Sequence, residues 1–259
     1  MTTSEQVRAA LAVEWAKFRR ARPVWVTTVL LTTGVVAMCV LTLRSVHGAD
    51  ATMAGKAQAI VEDGGRAGLF AAADTIVSVG GLLGFGVVVG WVFGREFTDG
   101  AISGLWAAPV SRPAVAAAKL LILLTWSVAV SVATGAALAV AGTFVDDDPL
   151  DPGTAALVGR FLAVALLTAG LAVPCAWVAT VARGYLPAIG TIIAVVIAAQ
   201  MAVMTGAGGW FPFSAPGLWA AGPQAGSVTA PQLALALTVP VVSAGLTLWS
   251  WRRLSLVHQ

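Results

Sequence analysis

The chain has 259 residues, of which 58% are hydrophobic and only 10% charged, and its mean hydropathy is +0.88. A water-soluble domain carries roughly 25% charged residues, so a soluble fold of this length is excluded and lipid is the solvent. The net charge of +3 and pI near 9.3 acquire meaning only from where the charges fall.

A helix needs about 20 apolar residues to cross the hydrocarbon core. Six such runs occur, at 24–43, 75–94, 115–141, 156–182, 186–205 and 232–251. They predict an all-α integral membrane protein, one transmembrane domain over 1–259 with six spans.

Ahead of the first run, Thr3 and Gln6 can form a capping box, and Val7, Leu11, Trp15 and Phe18 recur at helical spacing opposite Arg8, Lys17 and Arg19. This pattern predicts an elbow helix within residues 1–22 that lies in the interface, apolar face down and cations toward lipid phosphates. Pro23 separates it from the first span. The first run is too long for a secretory signal, whose core is about 7–15 residues.

The second run carries Gly80, Gly81, Gly84, Gly86, Gly90 and Gly94, with small-xxx-small pairs among them. Without a hydrophobic drive in lipid, close backbone approach holds helices together. Gly80, Gly84 and Gly90 are therefore packing candidates, either within the chain or against a second copy.

The stretch 94–113 follows. Asp99 suits an N-cap; Ala101, Ile102, Leu105 and Trp106 share one face of a short helix that stops before Pro109. Ser111 and Pro113 restart helix into the third run. The segment reads either as an interfacial helix or as an amphipathic peg offered to a partner's groove.

Asp146, Asp147, Asp148 and Asp151 suggest a calcium loop, but Leu150 falls where an oxygen ligand is required and Asp151 where glycine is required. A solvated turn is the better account. Pro174 predicts a kink in the fourth run, and Arg183, Gly184 and Tyr185 leave only a tight hairpin to the fifth. Gln200 reads as a helix–helix hydrogen-bonding group. The stretch 206–231 has no charge and carries Trp210, Phe211, Phe213 and Trp219 among prolines. It reads as a re-entrant or interface-lying segment, a candidate outer gate or a packed lid.

Basic residues set orientation. With the N-terminus inside, eleven of the fifteen basic residues but four of the twelve acidic ones are cytoplasmic, giving +7 inside and −4 outside. Both termini are thus expected in the cytoplasm. Trp25, Trp91, Trp249 and Trp251 stand near span ends as interface anchors, and Cys39 and Cys175 as small core residues.

Chemistry is sparse. No glycine-rich loop ends in Gly-Lys-Ser or Gly-Lys-Thr, no His-Glu-x-x-His helix or Gly-x-Ser-x-Gly elbow occurs, and the histidines are His47 and His258 alone. The spans hold few ionisable groups of the kind that ion-coupled carriers use. No catalytic residue, metal site, resident cofactor or nucleic-acid partner is expected.

Three stretches resemble the type-two permease subunits of bacterial ATP-binding-cassette (ABC) exporters. The start Leu11-Ala12-Val13-Glu14-Trp15-Ala16-Lys17-Phe18-Arg19 is similar to that family's elbow helix. The stretch Glu96…Gly100-Ala101…Leu105…Pro109-Val110-Ser111-Arg112…Lys119 is similar to its Glu…Gly-Thr…Leu…Pro-Val-Ser-Arg…Lys pattern, with Ala101 where Thr is common. The aromatic segment before the last span matches the family's outer region in position.

The resemblance implies a plasma-membrane efflux permease that acts as a dimer, identical or mixed, with the cargo path between the two chains. ATP and magnesium would belong to a separate ATPase subunit pair docked below. It implies a coupling helix with Arg95, Glu96, Asp99, Gly100, Ile102, Leu105 and Trp106, and a smaller contact at Arg183. Apolar spans favour an amphipathic or hydrophobic cargo such as a drug, peptide antibiotic or lipid-like molecule. A non-transporting anchor or sensor is the alternative.

Overall fold

The computed structural model describes residues 3–46, 55, 64–100, 110–146, 152–222 and 228–254. Among them every regular element is a helix. An N-terminal helix, Thr3–Phe18, precedes six helices long and apolar enough to cross a membrane: Arg22–Ser45, Gly65–Thr98, Arg112–Asp146, Gly153–Val181, Tyr185–Met204 and Ala230–Arg252. An even number of crossings returns the N- and C-terminal helices to one end of the bundle. At that end the Arg112 guanidinium donates to the Leu254 carbonyl.

The second and third spans exceed their expected lengths of 75–94 and 115–141, reaching 34 and 35 residues. At about 1.5 Å per residue each is roughly 50 Å long, beyond the ~40–45 Å of a bilayer with its headgroups. The extra turns persist because their polar groups satisfy one another. The Arg66 backbone N–H donates to Asp146 Oδ2 at 2.9 Å and its guanidinium to Thr154 Oγ1 at 2.7 Å. Arg160 Nε donates to Asp74 Oδ2 at 3.0 Å. These contacts tie the second, third and fourth spans at the end remote from the N-terminal helix, which we call the far end.

Glycine fixes the crossing of the second and fifth spans. A methyl group at Gly86 would fall 2.6 Å from Ile192, one at Gly90 would fall 2.8 Å from Ala188, and one at Gly94 would overlap the backbone of Gly184 and Tyr185. The three lie one turn apart and form the face on which the fifth span lies antiparallel. Gly84 packs instead on Thr27 and Leu31 of the first span, whereas Gly80 meets nothing within 4 Å. Gly84 and Gly90 thus each meet a neighbouring span of the same chain.

Pro174 kinks the fourth span as expected. Its helices Pro152–Leu171 and Pro174–Val181 join through Ala172 and Val173, whose N–H groups bond three residues back. The hairpin into the fifth span turns at Arg183, a non-glycine residue with φ of 54°.

Trp25 and Trp249 are exposed as anchors should be, but Trp251 is fully buried. Its indole N–H donates to Thr180 Oγ1 at 3.0 Å, and Phe93 meets its ring edge-on. The expectation of an anchor fails here because the last turn of the sixth span packs under the fourth, where an indole finds both a hydroxyl and an apolar slot. Cys39 and Cys175 are buried free thiols, as expected.

Candidate functional site

Four charged side chains converge beneath the end that holds the N-terminal helix. Lys119 enters from the third span, Glu14 and Lys17 from the N-terminal helix, and Glu96 from the last turns of the second span. Lys119 Nζ lies 2.5 Å from Glu14 Oε2, 2.8 Å from Glu96 Oε1 and 3.4 Å from the Val92 carbonyl. Lys17 Nζ lies 2.8 Å from Glu14 Oε1 and 3.3 Å from Glu96 Oε1. Two ammonium groups and two carboxylates make a neutral set, and all three Lys119 donors are used.

Burial gives the set its weight. Lys119 is 1% exposed, Glu96 2% and Glu14 5%. Such charges persist out of water only when paired and hydrogen-bonded. For Lys17, at the rim, burial pulls the ammonium pKa down. The hydrogen bond it donates to Glu14 and the charges of Glu14 and Glu96 outweigh this and hold it above the ordinary lysine value.

An aromatic wall backs the cluster. Phe18 and Phe85 both meet the Trp126 ring edge-on, at 6.0 and 5.5 Å between centroids. The Trp126 indole N–H donates to Thr28 Oγ1 of the first span at 2.9 Å. The N-terminal helix is thus bolted to the first, second and third spans.

Directly beyond the cluster lies an exposed face. Asp99 and Gly100, the latter at φ of 67°, close the second span. Because Gly94 admits Gly184 and Tyr185 at backbone contact, the Arg183 turn sits beside them. Asp99, Gly100 and Arg183 are all exposed. Arg95 stacks its guanidinium over the Trp91 ring at 4.7 Å and approaches Glu96 Oε1 at 3.9 Å.

The structure therefore divides the residues singled out from the sequence. Arg95, Asp99, Gly100 and Arg183 come together at one end. Glu96, expected on the outward surface, points inward onto Lys119 and Lys17, because a carboxylate two residues from the helix end at Thr98 meets two ammonium groups there. Ile102, Leu105 and Trp106 lie outside the described residues. Sequence reading missed the roles of Glu14, Lys17 and Lys119. The available signal was a lysine four residues inside an apolar run, which needs an acid at the same depth.

At the far end, Trp210 is exposed, while Phe211 and Phe213 meet at 5.5 Å between centroids and Trp219 is half-buried. The short helix Ala215–Ala220 rests on the second and fourth spans, with Gly217 against Ser78. Phe213 and Ser214 border a cavity of about 210 Å³ whose wall includes Thr75, Ser78 and Gln200. Gln200 is exposed in this chain. A larger cavity of about 390 Å³ opens among the third, fourth and sixth spans and is apolar apart from Ser127, whose hydroxyl is spent on the Leu123 carbonyl.

The family model described as ABC-2 family transporter protein matches residues 10–200 of this chain. No curated protein matches it.

Proposed function

Since the chain belongs to the ABC-2 transporter family, we propose that it is the membrane-spanning permease subunit of an ABC exporter, driven by separate ATPase subunits docked at the end bearing Asp99, Gly100 and Arg183. The observation that carries this reading is the pairing of that exposed face with the buried set Glu14, Lys17, Glu96 and Lys119 beneath it. A partner pushing on the Asp99 turn acts on a helix end that three elements hold by charge. The displacement then passes to whole helices, because a packed core does not absorb it locally.

The docking end faces the cytoplasm in this reading, with both termini, and the distribution of basic residues supports that orientation. ATP and magnesium belong to the partner. Arg95, Asp99, Gly100 and Arg183 form the contact, with Ile102, Leu105 and Trp106 continuing it, and Glu96 acts from behind as a positioning residue. Two such chains, alike or related, enclose the path. The fifth span, mostly exposed in the single chain, supplies a face for pairing. Apolar cavities along the spans support an amphipathic or hydrophobic cargo, a drug or peptide antibiotic among them, and the aromatic segment at Trp210–Trp219 serves as the outer gate.

Affinity purification of the full chain from native membranes in mild detergent tests the reading. A stoichiometric nucleotide-binding ATPase, lost when Asp99 and Arg183 are both replaced by alanine, is the expected result. Recovery with a partner that binds no nucleotide would turn the chain into a membrane anchor for that partner.

A further inference from the structure

The apolar interior is not one core but two. The larger runs from the end holding the ionic set along the bundle to Ala215 and includes Leu31, Leu82, Phe85 and Val130. The second, toward the far end, includes Val35, Cys39, Val77, Leu138, Phe161 and Ala165. The boundary therefore crosses the first span between Leu31 and Val35, and the second between Val77 and Leu82.

Those are the two places where the helix changes type. Leu30–Gly34 and Val77–Gly81 are π-helical within otherwise α-helical spans. A π turn bonds i to i+5 and inserts a residue into the helical count. Such turns are among the places where long helices kink. The π turn of the first span packs on the third span and that of the second on the fourth.

The partner helices are polar at the same level. Thr134 Oγ1 donates toward the Leu31 carbonyl at 3.3 Å while also bonding Val130 one turn back. Ser131 and Thr168 are buried, and their hydroxyls have no hydrogen-bond partner among the described residues. Buried polar groups are nearly always paired. Here two are held unspent on the third and fourth spans, near turns whose carbonyls must change partner if the helix rewinds.

We infer that the two π turns form a joint, on which the far-end body of the first four spans pivots against the end anchored by Glu14, Glu96 and Lys119. The hydroxyls of Ser131, Thr134 and Thr168 take up backbone carbonyls left open while the π turns exchange their i+5 partners for i+4 ones. The Arg66–Asp146 and Arg160–Asp74 ties brace one body and the four-charge set the other, and the third span, one helix from Arg112 to Asp146, bends between them. That this motion opens a cargo path rests on the permease reading; the joint itself does not.

The test uses the full chain in lipid nanodiscs, with Cys39 and Cys175 replaced by alanine and spin-label pairs at exposed sites. Val26 with Leu124 reports within the anchored body, Leu41 with Phe144 within the far-end body, and Val26 with Phe144 across the joint. A broadened or two-peaked distance distribution for the crossing pair alone is expected, narrowing when Thr33 or Val79 is deleted to restore an unbroken α-helix. Equal widths for all three pairs overturn the joint, and that comparison stands even if the deletion variants fail to fold. A crossing-pair distribution that is broad in the intact chain but unchanged in a folded deletion variant also overturns the π turns as its cause. Failure to recover an ATPase partner leaves these distances unaffected, so the two proposals fail separately.

Discussion

Lys119 Nζ lies 2.8 Å from Glu96 Oε1, and both side chains are closed to solvent although they belong to different spans. A third element completes the arrangement through Glu14. This contact joins the root of the exposed Asp99 turn to the body of the bundle, and its removal has consequences distinct from those of a surface change.

Lys119→Met leaves Glu14 facing Lys17, and Glu96 facing Lys17 and the more distant Arg95. Removing one partner of a buried ion set costs about 3–5 kcal/mol. We expect a loss of that order in denaturant unfolding in mixed micelles, and recovery of much of it when Glu14→Gln and Glu96→Gln are added. A Lys119→Met protein within about 1 kcal/mol of the parent would show that the set carries little of the bundle's cohesion.

The two exposed residues behave differently. Asp99→Ala and Arg183→Ala remove no side-chain partner among the described residues, so stability should shift by less than about 0.5 kcal/mol. Transport and partner-stimulated ATP hydrolysis should fall together. The comparison with Glu96→Ala is informative, since that change should lower stability and coupling at once. Coupling that survives both surface substitutions would move the docking face elsewhere.

Among the glycines, Gly94→Ala and Gly80→Ala make a controlled pair. The new methyl at 94 overlaps the backbone of Gly184 and Tyr185, which cannot move without prising the fifth span from the second. The methyl at 80 meets nothing within 4 Å. Folded yield by size-exclusion chromatography should collapse for Gly94→Ala and hold for Gly80→Ala. A similar loss at Gly80 would indicate a contact outside the single chain.

Lys17 sets a pH dependence on the alkaline side. Its folded pKa is raised above 10.5, so its contribution is whole below that value and disappears as pH climbs through the folded pKa. Thermal stability of the parent and of Lys17→Met should therefore differ throughout the neutral range and converge only at strongly alkaline pH. A difference that instead vanishes on acidification from neutral to pH 6 would assign the effect to another group.

Much of the architecture is legible without coordinates because lipid imposes a simple demand. Every backbone polar group in the hydrocarbon must bond within its own segment, so long apolar runs become helices. Six runs, the Pro174 kink, the tight turn at Arg183 and the helix before Pro23 all follow from local composition and stereochemistry. The likeness of the Glu96–Lys119 stretch to ABC permeases is likewise a property of the linear chain.

What tertiary structure decided is which way each side chain faces. Glu96 and Asp99 are three residues apart and equally charged in the sequence, yet one is sealed against Lys119 and the other lies in the open. That difference depends on where the third span and the N-terminal helix pack, a long-range choice that residue spacing does not contain. Trp251 and the lengthened second and third spans follow the same logic: a polar group can enter the bundle when a distant helix brings Thr180, Asp146 or Arg160 to meet it. Local composition places the chain in the membrane as crossing helices, because transfer of apolar segments out of water is a local, additive property. Packing alone decided which charges are buried, because pairing two of them requires both to arrive at one place.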